Sequence, residues 1–159
     1  MNFISNKNGS SYVRTCVIVI VLVMILSAVM FYAETMTIVE TTKENTEMVL
    51  DSFIMKNSIE IYDSIKQGHD WTEKFDENYY FSEYSSRFSL DFSGNCLYNY
   101  NKQGDIVYYL TNPNVTYKVD KALKLKVSYT LFMPVRFAGK TLYWLRIPLA
   151  VTSSLTLNE

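Results

Sequence analysis

Residues 15–33 read TCVIVIVLVMILSAVMFYA, 19 positions without a charge, and no other stretch restricts the fold as strongly. As a helix this run covers about 28 Å, close to the hydrocarbon thickness of a bilayer. Its many Val and Ile would favour a strand in water. In lipid every backbone amide needs a partner within the segment, so a lone span has to be helical. An uncleaved anchor fits the run better than a secretory signal peptide, whose apolar core is shorter and whose cut follows small residues at the first and third positions back. A cut after Ala33 puts Phe31 at the third position, and a cut after Ala28 puts Leu26 there.

Charge at the two ends orients the span. Lys7 and Arg14 precede it with no acid, whereas Glu34 and Glu40 follow it. Basic residues stay on the cytoplasmic side, so the N-terminus is expected in the cytoplasm and the rest of the chain outside. Cys16 opens the span and Cys96 lies far beyond it. They cannot pair within one chain of this topology, and both are read as small buried hydrophobes.

Between Glu34 and Gln67 there is neither Pro nor Gly. Val39, Thr46, Val49, Leu50, Phe53, Ile54, Ile61 and Ile65 recur at three- and four-residue steps, one stripe of an amphipathic helix. Nothing interrupts the pattern at Ala33–Glu34, so span and stripe are expected to form one helix of about 50 residues that stops at Gly68. Residues 69–87 mix acids with Trp71, Phe75, Tyr79, Tyr80, Phe81 and Tyr84. No clean period runs through them, which predicts an irregular connector whose rings pack on the next domain rather than an adhesive patch.

The last 72 residues carry the signs of an antiparallel sheet. FSLDF (88–92) alternates, NKQGD (101–105) and NPN (112–114) carry turn chemistry, and IVYYL (106–110) and VTYKV (115–119) read as strands. In LKLKVSYTLF, Leu123, Leu125, Val127, Tyr129 and Leu131 fall on one face, and Lys124, Lys126, Ser128 and Thr130 on the other. Pro134 is expected to end this strand. In the last strand Tyr143, Leu145, Ile147, Leu149 and Val151 form the buried set, and Pro148 places it at an edge or a bulge. The helix stripe is the natural cover for the apolar face. Residues 34–91 hold 13 acids and 5 bases, a net of −8, and residues 92–159 hold 3 acids and 8 bases, a net of +5. Such halves attract within a molecule or between neighbours, although individual surface pairs are weak.

The expected fold is α+β, with a cytoplasmic tail or leader (1–14), a transmembrane helix (15–33), a stalk helix (34–68), an aromatic and acidic connector (69–87) and a β domain (88–159). Motifs for chemistry do not emerge. His69 is the single histidine, no Cys, His and carboxylate spacing suits a metal, and there is neither a phosphate-binding loop nor a nucleophile elbow. The lysines at 118, 121, 124 and 126 alternate with apolar residues, as a solvated strand face does, and do not argue for nucleic acid. No catalytic residue, cofactor, metal or small-molecule substrate is expected.

A short tail with a glycine, a span, an amphipathic helix and a small sheet form the layout of type IV pilins and pseudopilins. With Asn8-Gly9-Ser10-Ser11-Tyr12-Val13 before the span and Phe132-Met133-Pro134 late in the sheet, the chain resembles the TadE-like minor pilins of tight-adherence (Tad/Flp) systems, in the divergent Gram-positive form. The resemblance implies a leader peptidase cut between Gly9 and Ser10. It also implies partners among other pilin-like or secretion subunits, besides the lipid bilayer, and a bacterial, cell-surface setting. In that family the fifth mature residue is a glutamate that neutralises a neighbour's terminal amine, and here the position is Arg14. A cation there serves instead to hold the span at the cytoplasmic headgroups, together with Lys7. The function expected is non-enzymatic assembly through subunit packing. The alternative is a single-pass protein whose outer domain binds a ligand or partner unconnected with pili.

Overall fold

The structure, a computed structural model, describes residues 7–67, 77–119, 122–137 and 139–156. Its elements are helix α1 (Lys7–Gln67), helix α2 (Glu77–Phe88) and strands β1 (Asp91–Ser93), β2 (Cys96–Tyr100), β3 (Ile106–Val119), β4 (Ala122–Phe137) and β5 (Lys140–Thr156). The α+β class read from the sequence is the class observed. The chain divides into two compact units between Ile38 and Val39, and α1 contributes to both.

In the first unit α1 carries a segment long and apolar enough to cross a membrane, and none of it is buried within the chain's own fold. Every side chain from Tyr12 to Met30 is exposed. Cys16 is exposed with the rest, contrary to the buried reading, because a single helix has no protein neighbour to cover it. Thr35 and Thr37 satisfy their hydroxyls locally, donating to the carbonyls of Phe31 and Ala33 at 2.8 and 3.0 Å.

In the second unit the five strands form one antiparallel meander in chain order, so every strand pairs with its sequence neighbour. The two-residue turn Gly94-Asn95 joins β1 to β2 with φ of 56° and 62°. Positive φ at both positions is the I′ geometry that matches strand twist. Leu97, Leu110, Leu123, Leu125, Val127, Tyr129, Leu131 and Met133 are buried on one face. The α1 stripe is buried with them at Val39, Thr46, Val49, Leu50, Phe53, Ile54 and Ile61, as its spacing predicts; the side chain of Ile65 lies outside those described. Each fully buried Leu, Ile or Phe stabilises the fold by about 1.5–3 kcal/mol relative to exposure.

Several local expectations are corrected. Residues 77–87 of the stretch read as an irregular connector are helical, as part of α2, because Tyr80, Tyr84 and Phe88 fall at i, i+4 and i+8 and meet at steep ring angles with centroids 5.5 and 4.9 Å apart. Phe88 therefore ends α2 and does not begin a strand. Ser89, at φ 54°, supplies the left-handed turn that stops the helix. Tyr80, Phe81 and Tyr84 are core residues, whereas His69, Trp71 and Phe75, with the stop at Gly68, lie outside the described residues.

The NPN segment does not turn. Thr111 pairs with Thr130 and Asn114 with Ser128, so β3 has one residue more than β4 between these pairs, and a bulge absorbs Pro113. Pro134 does not end β4 either. Pairing with β3 ends at Tyr109–Phe132, so at Pro134, opposite Trp144, only β5 lies alongside and no second neighbour needs its missing amide. Pro148 sits on the edge strand β5, as expected. Strand β2 had no sequence signal, and Tyr143, assigned to the buried set, is 60% exposed near the end of the β4–β5 hairpin.

Candidate functional site

The residues singled out in the sequence lie along one element. Lys7, Gly9 and Ser10 fall in the first turns of α1, where the backbone is already helical, and Arg14 follows as an exposed residue of the same helix. Among the described residues no cluster of three His, Cys, Asp or Glu is placed to hold a metal.

Two arrangements in the second unit were not visible in the sequence. The first is internal. Thr46 on α1 donates its hydroxyl proton to the Thr42 carbonyl at 2.8 Å, and its oxygen lies 3.1 Å from Tyr80 Oη and 3.2 Å from Tyr129 Oη. One threonine thus joins α1, α2 and β4 through buried hydroxyls. Burial pushes the Tyr80 and Tyr129 phenols well above the ordinary value, and the hydrogen bond to Thr46 offsets part of that rise. Nearby, Ser153 on β5 donates to Asp51 on α1 at 2.5 Å. On the outer surface of the helices, Glu83 accepts from Arg87 at 2.7 Å and from Lys56 at 3.1 Å, and Arg87 also donates to Ser52. These contacts hold α2 to α1 and α1 to β5.

The second arrangement is on the outer face of the sheet. Asp91 is opposite Tyr98, Tyr98 opposite Tyr109, Tyr109 opposite Phe132, and Phe132 opposite Arg146. Directly opposed residues share a face, so these five form one straight row across all five strands. The rings stack along it. Tyr98 and Tyr109 have centroids 5.4 Å apart, and Tyr109 and Phe132 lie 4.8 Å apart with planes within 3°. The Arg146 guanidinium carbon sits 6.0 Å from the centre of the Phe132 ring. Tyr100 stacks beside Tyr98, and Trp144 meets Tyr109 edge-on at 5.2 Å. Cys96, half-buried, adjoins the row on β2. This face is the side of the sheet on which Lys124 and Lys126 also stand, as the alternation of β4 predicts.

The row was beyond sequence reasoning because its members are spread over 56 positions and meet only through strand register. β2, which carries Tyr98 and Tyr100, was not expected as a strand. The one available signal was the alternation in LKLKVSYTLF, which places Phe132 on the side away from the core. No protein-family model, curated protein or solved structure matches the chain.

Proposed function

We propose that the chain is a non-enzymatic, single-pass membrane component, built like a pseudopilin, that acts by packing against other subunits of a tight-adherence-type pilus or secretion assembly. The observation that carries this reading is the apolar part of α1, which the chain itself leaves wholly uncovered. About 19 uncharged residues exposed to water would be strongly unfavourable, and a bilayer or neighbouring spans remove that cost. Lys7 and Arg14 orient the span with the N-terminus in the cytoplasm, and the β unit then faces outward.

One observation favours a second reading, an anchored outer domain that binds a partner without polymerising. Arg14 occupies the position of the acid that pilins use to neutralise a neighbouring amine, and a cation repels such an amine.

The mature N-terminus separates the two. Mass spectrometry of the chain extracted from membranes is expected to find a start at Ser10. An intact Met1 with membrane retention favours the second reading, and a start near Glu34 sinks both.

A further inference from the structure

We infer that the outer face of the sheet pairs with the same face of a second copy of this chain, about a two-fold axis that runs parallel to β3, midway between the two sheets and over Tyr109. This names a surface for the packing proposed above, and it rests on that reading only for the gathering of copies on one membrane.

The row reads acid, ring, ring, ring, base from β1 to β5, with Tyr109 at its centre. Asp91 and Arg146 are both exposed, and neither has an ion-pair partner among the described residues. Four strand spacings separate them, about 19 Å, so they cannot meet within one chain. A two-fold rotation about an axis along the strands reverses the row in the second copy. Each Asp91 then faces the other copy's Arg146, and Tyr109 faces itself. An axis across the strands would set Asp91 against Asp91 and Arg146 against Arg146, so the charges select one of the two arrangements. Sheets that pack face to face lie about 10 Å apart with nearly aligned strands, a gap that an Arg and an Asp side chain span together.

Ring orientation decides against a sugar as the occupant. Sugars stack on open aromatic faces. Here the centroid spacings of 4.8 and 5.4 Å match the strand spacing, so the rings cover one another's faces along the row. The outer face of Phe132 is closed by Arg146, and Tyr98 is stacked by Tyr100. What points outward is ring edges and phenol hydroxyls, which suits interdigitation with a second row. Lys124 and Lys126 lie eight and six residues along β4 from Phe132, about 20–26 Å away, outside the facing area.

The test uses the full chain in detergent micelles, with Cys16 and Cys96 replaced by Ser. A chain carrying Asp91→Cys is mixed with one carrying Arg146→Cys and treated with a short bismaleimide. The mixture is expected to cross-link while neither variant does so alone; the mixed pair also keeps one Asp91–Arg146 contact. In the wild-type background, Asp91→Arg or Arg146→Asp alone should lower the dimer fraction about tenfold or more, and the double reversal should restore it. Circular dichroism reports that each variant is folded. Cross-linking of either single variant with itself, or a double reversal that fails to restore association, overturns the inference. So does a chain that stays monomeric and binds a polysaccharide column through Arg146. Any of these results with the chain still held in micelles and membranes leaves the anchored reading standing, so the two fail separately.

Discussion

Thr46 on α1 and Tyr129 on β4 stand with their side-chain oxygens 3.2 Å apart, both buried, although 83 residues separate them in sequence. With Tyr80 from α2 at 3.1 Å, they make a polar joint inside the core. Such a joint adds direction to packing that hydrophobic burial alone leaves free, because each hydroxyl needs a partner at one place. Replacing Thr46 with Val keeps the shape and removes a hydrogen-bond partner from two buried phenols, of which Tyr129 retains Thr42. The variant is expected to lose about 2–3 kcal/mol of stability, read from urea unfolding followed by tryptophan fluorescence, while Thr46→Ser keeps most of it.

Alkaline pH should act on the same joint. Burial is the main cause that raises the Tyr80, Tyr84 and Tyr129 phenols above their unfolded value of 10.0. Above that pH the unfolded chain loses protons that the folded chain keeps, so the stability these groups contribute is complete below pH 10.0 and declines as pH rises past it. Phenolate absorption from the buried tyrosines is expected to appear together with the loss of circular dichroism. Titration of all 13 tyrosines at the ordinary value with the fold intact would contradict this.

Acid should act on Glu83. Its hydrogen bond from Arg87, and then that from Lys56, hold its carboxyl below the usual value. The contribution of this group is present above the unfolded carboxylate value and is lost as pH falls through the lowered one. Glu83→Gln is expected to cost up to about 1 kcal/mol at neutral pH, and the difference from wild type should vanish in acid. Melting temperatures of the two proteins at neutral and acidic pH provide the check.

Strand β4, paired on both sides at Leu131, should be intolerant of truncation. Leu131 is fully buried, and Leu142 near the end of the β4–β5 hairpin is 68% exposed. Leu131→Ala is expected to cost about 2–5 kcal/mol, since it removes apolar contact and leaves a cavity. Leu142→Ala should stay within about 0.5 kcal/mol of wild type. Denaturant midpoints measured side by side decide it.

At the other end of the chain, Arg14→Lys is expected to leave membrane orientation unchanged, because charge alone sets it. Changing Lys7 and Arg14 together to Glu should give mixed orientation, read by protease accessibility in sealed vesicles. Loss of orientation in Arg14→Lys would instead mean that the guanidinium makes a specific contact.

Much of the helix and the inner sheet face was legible in the sequence. The stripe from Val39 to Ile61 and the alternation from Leu123 to Leu131 each show a period that only one element satisfies, and burial followed both. What failed were local signals judged without their neighbours. Pro113 and Pro134 looked like strand ends, yet each sits where the sheet does not require its missing amide: in a bulge for Pro113, beyond the end of β3 pairing for Pro134. The helical spacing of Tyr80, Tyr84 and Phe88 was hidden by the acids among them.

By itself the sequence determined an uncharged span, an amphipathic helix behind it and a sheet with one apolar face, because these follow from periodicity and the need of buried backbone for partners. Tertiary structure alone decided that Thr46 would meet Tyr80 and Tyr129, and that Asp91, Tyr98, Tyr109, Phe132 and Arg146 would fall into one row. Both depend on strand register and on how α1 and α2 sit against the sheet. Register is a collective outcome of packing, where a shift of one residue would turn every side chain to the opposite face.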